Sequence, residues 1–190
     1  MSVITKESYL NYVKRILEHY DADFPNRIVQ EFPFNAQSRG GFVGHLVNAW
    51  AQMYRATGDA RYAHRARELM LQWSRDPVCF PPEERAKDAV GPFISCMLVG
   101  GFRVLRDNGF LTPEDEEPTA TYIRNMVSQF ADSWASAGMA KMAEASHAWN
   151  HPTMDATLCI ETAQTFPNHP DAAKWLEWGK LILNQSFNKP

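Results

Sequence analysis

The sequence predicts an all-α protein built from antiparallel helical hairpins. Three observations predict it. Apolar residues recur at the 3.6-residue period in segment after segment. The breaks between segments carry helix stop and start signals, at Gly58-Asp59, Asn108-Gly109 and Thr112-Pro113. No stretch shows the sustained alternation of a strand. At 190 residues, 45% hydrophobic and 12% aromatic, the chain holds ample material for one packed core. It reads as a single domain, with an N-terminal helix and irregular lead-in over 1–38 and three hairpins over 39–188.

The first helix spans 4–20, where Tyr9, Tyr12, Val13, Ile16, Leu17 and Tyr20 follow the helical period. Pro25 and Pro33 break the lead-in that follows. Helix two runs from about Arg39 to Thr57, with Phe42, Leu46, Ala49, Trp50 and Met53 on one face. Gly58 stops it and Asp59 caps helix three. Helix three buries Tyr62, Ala66, Leu69, Met70 and Trp73, while Arg61, His64, Arg65, Arg67 and Glu68 mostly face outward. Helix four, from about Glu84 to Asn108, is apolar nearly all round, so it is predicted to be buried, with Gly91, Gly100 and Gly101 admitting a neighbouring backbone. Thr112 caps helix five, whose acids Glu114 to Glu117 read as a solvated first turn favoured by the helix dipole. Helix six spans about Pro152 to Gln164, Pro167–Asp171 is a turn, and helix seven carries Trp175, Trp178 and Ile182.

A net charge of −3 gives no electrostatic footprint for nucleic acid or an anionic membrane surface. No run approaches a membrane span, and the N-terminus lacks the apolar core of a signal peptide. Cys79, Cys96 and Cys159 are odd in number and far apart, which points to buried thiols and away from a disulfide framework or a zinc site. No metal or cofactor is implied.

The densest polar chemistry lies in Ser146-His147-Ala148-Trp149-Asn150-His151-Pro152-Thr153-Met154-Asp155. Pro152 suits the first turn of a helix, so this cluster sits at a helix start, where a scaffold can hold side chains in a cleft. Three stretches together resemble the α/α-toroid polysaccharide lyases of heparinase II/III and alginate-lyase type. They are Phe42-Val-Gly-His-Leu-Val-Asn-Ala-Trp50 with Ala56–Ala63, Leu105–Asp115, and Trp149-Asn150-His151 with Phe166–Trp175. The resemblance covers about 39–188. It implies an incomplete toroid, since such rings close with more hairpins than three, and the family's later tyrosine and histidine would lie beyond Pro190. It also implies that the chain alone is inactive and self-associates, or needs a missing C-terminal half, through an apolar edge at helix seven. A periplasmic or secreted location follows if the lyase reading holds.

The activity so implied is β-elimination on a uronic-acid glycan. A base removes the proton beside the carboxylate while a donor offsets the charge that develops there. By the resemblance, Asn150 is the neutraliser and His151 a carboxylate-side partner or base, with Trp149, His147, Arg39, Gln37 and His45 as substrate-binding residues. Arg39 suits an anionic sugar because a guanidinium grips a carboxylate bidentately. Each residue also has an ordinary reading: Asn150 as a helix cap, Trp149 as a core anchor, His45 as a satisfied core histidine, Arg39 as a solvated cation. Two rival functions stay open. A toroid glycoside hydrolase needs two carboxylates, for which Asp155, Asp88 and Glu144 are present without a diagnostic spacing. A helical-repeat module would bind glycan or protein without turnover.

Overall fold

A computed structural model of the chain describes residues 5–22, 36–74, 92–136 and 150–187. They form α1 (Lys6–Asp21), α2 (Ala36–Thr57), α3 (Ala60–Ser74), α4 (Pro92–Asp107), α5 (Pro113–Ser136), α6 (Asn150–Thr165) and α7 (Ala172–Phe187). No strand occurs among the described residues, so the protein is all-α. None of the described helices is long and apolar enough to cross a membrane.

The helix boundaries follow local chemistry. Thr5 and Ser8 exchange hydrogen bonds in a capping box, the Ser8 N–H to Thr5 Oγ1 at 3.1 Å and the Thr5 N–H to Ser8 Oγ at 3.0 Å. Gly58 ends α2 at φ +74°, a conformation a side chain would strain, and its N–H donates to the Tyr54 carbonyl at 2.7 Å. Asp59 Oδ1 then accepts the Arg61 N–H at 3.0 Å, capping α3. Gly109 repeats the stop at φ +73°. Thr112 opens α5 by accepting the Asp115 N–H at 3.3 Å, while Asp115 Oδ2 accepts the Thr112 N–H at 3.1 Å.

Packing sorts the helices into a row and a backing layer. Going up α2, Asn48 meets Met97 and Tyr54 meets Asn108, so α2 and α4 run parallel. Going up α4, Arg103 pairs with Glu161 and Arg106 donates to the Thr165 carbonyl, so α4 and α6 run parallel too. The row α2–α4–α6 therefore has all its N-termini at one end. α3 folds back on α2 and α7 on α6, giving two tightly packed hairpins, whereas α5 rests more lightly on α3, α4, α6 and α7. The core fills the space between, with Val47, Leu69, Met70, Leu98, Phe102, Leu105, Ile123, Leu158 and Trp175 fully buried.

Four expectations are corrected. The stripe on α1 is split: Leu17 is buried, but Tyr9, Tyr12 and Ile16 are 58%, 56% and 37% exposed, because α1 lays one narrow edge on α2. Arg65 and Arg67 are not free surface charges. Arg65 grips the Asp21 carboxylate at 2.5 and 2.6 Å, fastening α1 to α3, and Arg67 grips Asp115 at 2.7 and 3.0 Å, fastening α3 to α5. The first turn of α5 is accordingly not wholly solvated, since the Asp115 side chain is only 12% exposed. Nor does α7 offer its tryptophans to a further hairpin. Trp175 is fully buried with its ring stacked 4.5 Å from His169, Ile182 is buried and Trp178 half-buried. Only Leu181 of α7 is a large exposed apolar residue among those described. Cys159 is a buried free thiol, as expected.

Candidate functional site

The three parallel helices share a polar surface. On α2, the buried residues Val43, Leu46, Val47, Trp50, Ala51 and Met53 turn inward. His45, Asn48, Gln52 and Arg55 follow at spacings of three and four, which puts them on one solvent-facing stripe. Asn48 brings this stripe against Met97 and Gly100 of α4. Further along α4, Arg103 pairs with Glu161 of α6 at 2.7 Å, beside the exposed Thr157 and Gln164. Glu161 Oε2 has no well-angled hydrogen bond, and at this separation the contact is best described as an ion pair.

Four of the sequence-predicted residues belong to the first turns of helices in this row. Gln37 and Arg39 belong to the first turn of α2, and Asn150 and His151 begin α6. The parallel row thus brings their backbones to the same end, although their side chains lie outside the described residues. Trp149 and His147 lie outside the described residues altogether, as do Asp88 and Glu144; so does the side chain of Asp155. His45 stands nine residues into α2, about 13 Å along the axis from the helix start. It is not a core histidine: its ring is exposed, yet enough protein surrounds it for desolvation to lower its pKa below the usual histidine value. At neutral pH it is an uncharged imidazole able to accept a proton.

A cleft of about 360 Å³ lies elsewhere, lined by Lys14, Glu18 and Asp21 of α1, Trp50 of α2, and Arg61, Tyr62 and Arg65 of α3. Its floor is the Trp50–Tyr62 stack, with ring centroids 5.5 Å apart at 20°. Its charges are already matched: Lys14 with Glu18, Arg65 with Asp21, Arg61 with Asp59. The Asp59 carboxyl sits below its usual range because the Arg61 guanidinium donates to it. With its charges matched and its indole buried, this cleft is better explained as the seam where α1 docks than as a reactive centre.

Sequence reasoning missed Asn48, Gln52 and Arg55, though their spacing beside His45 was a readable signal. It also missed the Arg103–Glu161 pair, which joins residues 58 apart and has no local signature. Compared with known proteins, the chain matches no protein-family model, and neither a curated protein nor a solved structure matches it.

Proposed function

We propose that this chain is part of an α/α-toroid carbohydrate-active domain, of polysaccharide-lyase type, which acts on a uronic-acid glycan by β-elimination. The observation that carries the reading is the parallel row α2–α4–α6, backed by the return helices and sharing one polar surface. An arc of an α/α toroid has this order, with the first helices of successive hairpins side by side. Asn150 and His151 begin the third helix of the row, and Gln37 and Arg39 the first. In the reaction, Asn150 donates to the substrate carboxylate without adding charge, and His151 takes or supplies a proton near neutrality. Arg39 and Gln37 hold the glycan, joined by Trp149, His147 and His45.

Binding is the primary readout for this chain, because such toroids complete their catalytic set with residues from later hairpins. The chain should bind uronate polymers in preference to neutral polymers of the same length. In a complete enzyme the product should be unsaturated and ultraviolet-absorbing, and Asn150→Ala should cut turnover about a hundredfold or more, as loss of one oxyanion donor does. Saturated reducing ends would mean a hydrolase, and binding without product a non-catalytic module. Equal affinity for neutral and acidic polymers would overturn the acidic-glycan reading. Full turnover with a lowered melting temperature in Asn150→Ala would make Asn150 a helix cap.

A further inference from the structure

Asn48 is an unusual residue to find where two helices meet. Its carboxamide sits half-buried between α2 and α4, where Gly100 makes room for the carboxamide and the adjacent Gly101 for the α2 backbone that carries it. A Cβ on Gly100 would stand 2.9 Å from Asn48 Oδ1, and one on Gly101 would stand 3.0 Å from Asn48 Cα. Such close accommodation would normally serve a fully satisfied amide. Here the only acceptor for Asn48 Nδ2 among the described residues is the thioether sulfur of Met97, at 3.8 Å. Sulfur is a weak acceptor.

The orientation of that amide is dictated by its neighbours on α2. Arg55 Nη1 donates to Gln52 Oε1 at 3.3 Å, and Gln52 Nε2 donates to Asn48 Oδ1 at 3.2 Å. A guanidinium can only donate. It therefore turns the Gln52 oxygen toward itself and the Gln52 NH2 toward Asn48, which turns the Asn48 NH2 toward the α2–α4 groove. Polarity passes one way along the chain, and the positive charge at its start strengthens the donor at its end.

We infer that Asn48 is a ligand-contacting donor in the α2–α4 groove, taking a carboxylate oxygen, and that Gln52 and Arg55 are positioning residues that fix its polarity. The inference rests on the acidic-glycan reading and names a contact on the polar surface away from Asn150 and His151. A positive relay ending in N–H groups favours an anionic oxygen over a sugar hydroxyl, because a charged acceptor roughly doubles the strength of the hydrogen bond.

The test uses the whole chain, an oligomannuronate trisaccharide and a neutral cellotriose control. Asn48→Ala should weaken binding of the uronate about tenfold or more, the usual cost of one hydrogen bond to a charged group. Gln52→Met keeps size and neutrality but cuts the relay, and should weaken uronate binding about three- to tenfold with an unchanged melting temperature. The side-chain NH2 signals of Asn48 in a nitrogen–proton NMR spectrum should shift with uronate in the native chain, and should not shift in Gln52→Met. A merely structural Asn48 would show no such shift. If both variants bind uronate as the native chain does, the inference is overturned and the acidic-glycan reading stands. If the native chain binds no uronate, both fall. Should Asn48→Ala fail to fold, Gln52→Met on the surface of α2 decides alone.

Discussion

The α2–α4 and α6–α7 seams are both closed by glycine, but the glycines make room for different things. At α6–α7, Gly179 lies so close to α6 that a Cβ there would stand 2.5 Å from Ile160 Cγ1 and 2.9 Å from the Ala156 carbonyl oxygen. That seam is apolar and buries Ala156, Leu158, Cys159 and Trp175, so close approach serves dispersion and exclusion of water. At α2–α4, Gly101 likewise admits backbone and the Val47 side chain, but Gly100 admits the Asn48 carboxamide. Equal backbone proximity thus has two uses. Both seams hold the fold, and α2–α4 also gives space to a polar group with a weak partner.

Substitution separates the two. Gly179→Val should be the most damaging, on the order of 3 kcal/mol, because an α-carbonyl oxygen and the stem of Ile160 cannot both retreat. For a chain of this length that is a fall in melting temperature of about 6–12 °C. A drop of only a degree or two would show that the α6–α7 seam is looser than its geometry. Gly101→Ala should cost less, about 1 kcal/mol. Its Cβ presses on Asn48 Cα and Val47 Cγ1 at 3.0 Å, but alanine's better helix propensity offsets part of the strain. Uronate affinity should fall more than stability does, since the displaced backbone carries Asn48. Loss of stability with affinity intact would remove the distinction between the seams.

A tie outside both seams sets the scale for the smallest effect. Asp115 completes the Thr112 cap of α5 by accepting the Thr112 N–H, and holds Arg67 of α3. Burial alone would raise its pKa, but hydrogen bonds from the Arg67 guanidinium and the Thr112 N–H bring it below the ordinary carboxylate value. A depressed folded-state pKa adds stability that is present above the unfolded value of about 3.9 and is lost as pH falls through the folded one. Asp115→Asn should therefore cost about 1 kcal/mol at neutral pH. The gap between native and variant melting temperatures should close below about pH 4. A gap that persists in acid would assign the cost to packing rather than to charge.

Much of the fold was legible because its signals are local. Gly58 and Gly109 stop helices by their own freedom at positive φ, and Thr112 and Asp59 cap by reaching two or three residues ahead. The inward stripes of α2 and α3 were legible from periodicity at Leu46, Trp50, Ala66 and Leu69. Periodicity misled at α1, where Tyr9 and Tyr12 fit the pattern of a buried face and are exposed. A hydrophobic period says which residues share a face, not whether another helix covers it. In the candidate site, His45 and the Asn150-His151 pair stood out as chemistry, while Asn48, Gln52 and Arg55 showed only as a helical spacing beside His45.

By itself the sequence determined the helical class, the helix ends and the separation of apolar from polar faces, because each depends on residues within about one or two helical turns of each other. Only the tertiary structure decided that α2, α4 and α6 run parallel with their N-termini together, that Arg65, Arg67 and Arg103 are ties, and that Asn48 meets two glycines of α4. Those pairings span 44 to 59 residues of chain. Their partners are chosen by which surfaces pack without voids or unpaired charge, a condition on the whole fold that no local stretch encodes.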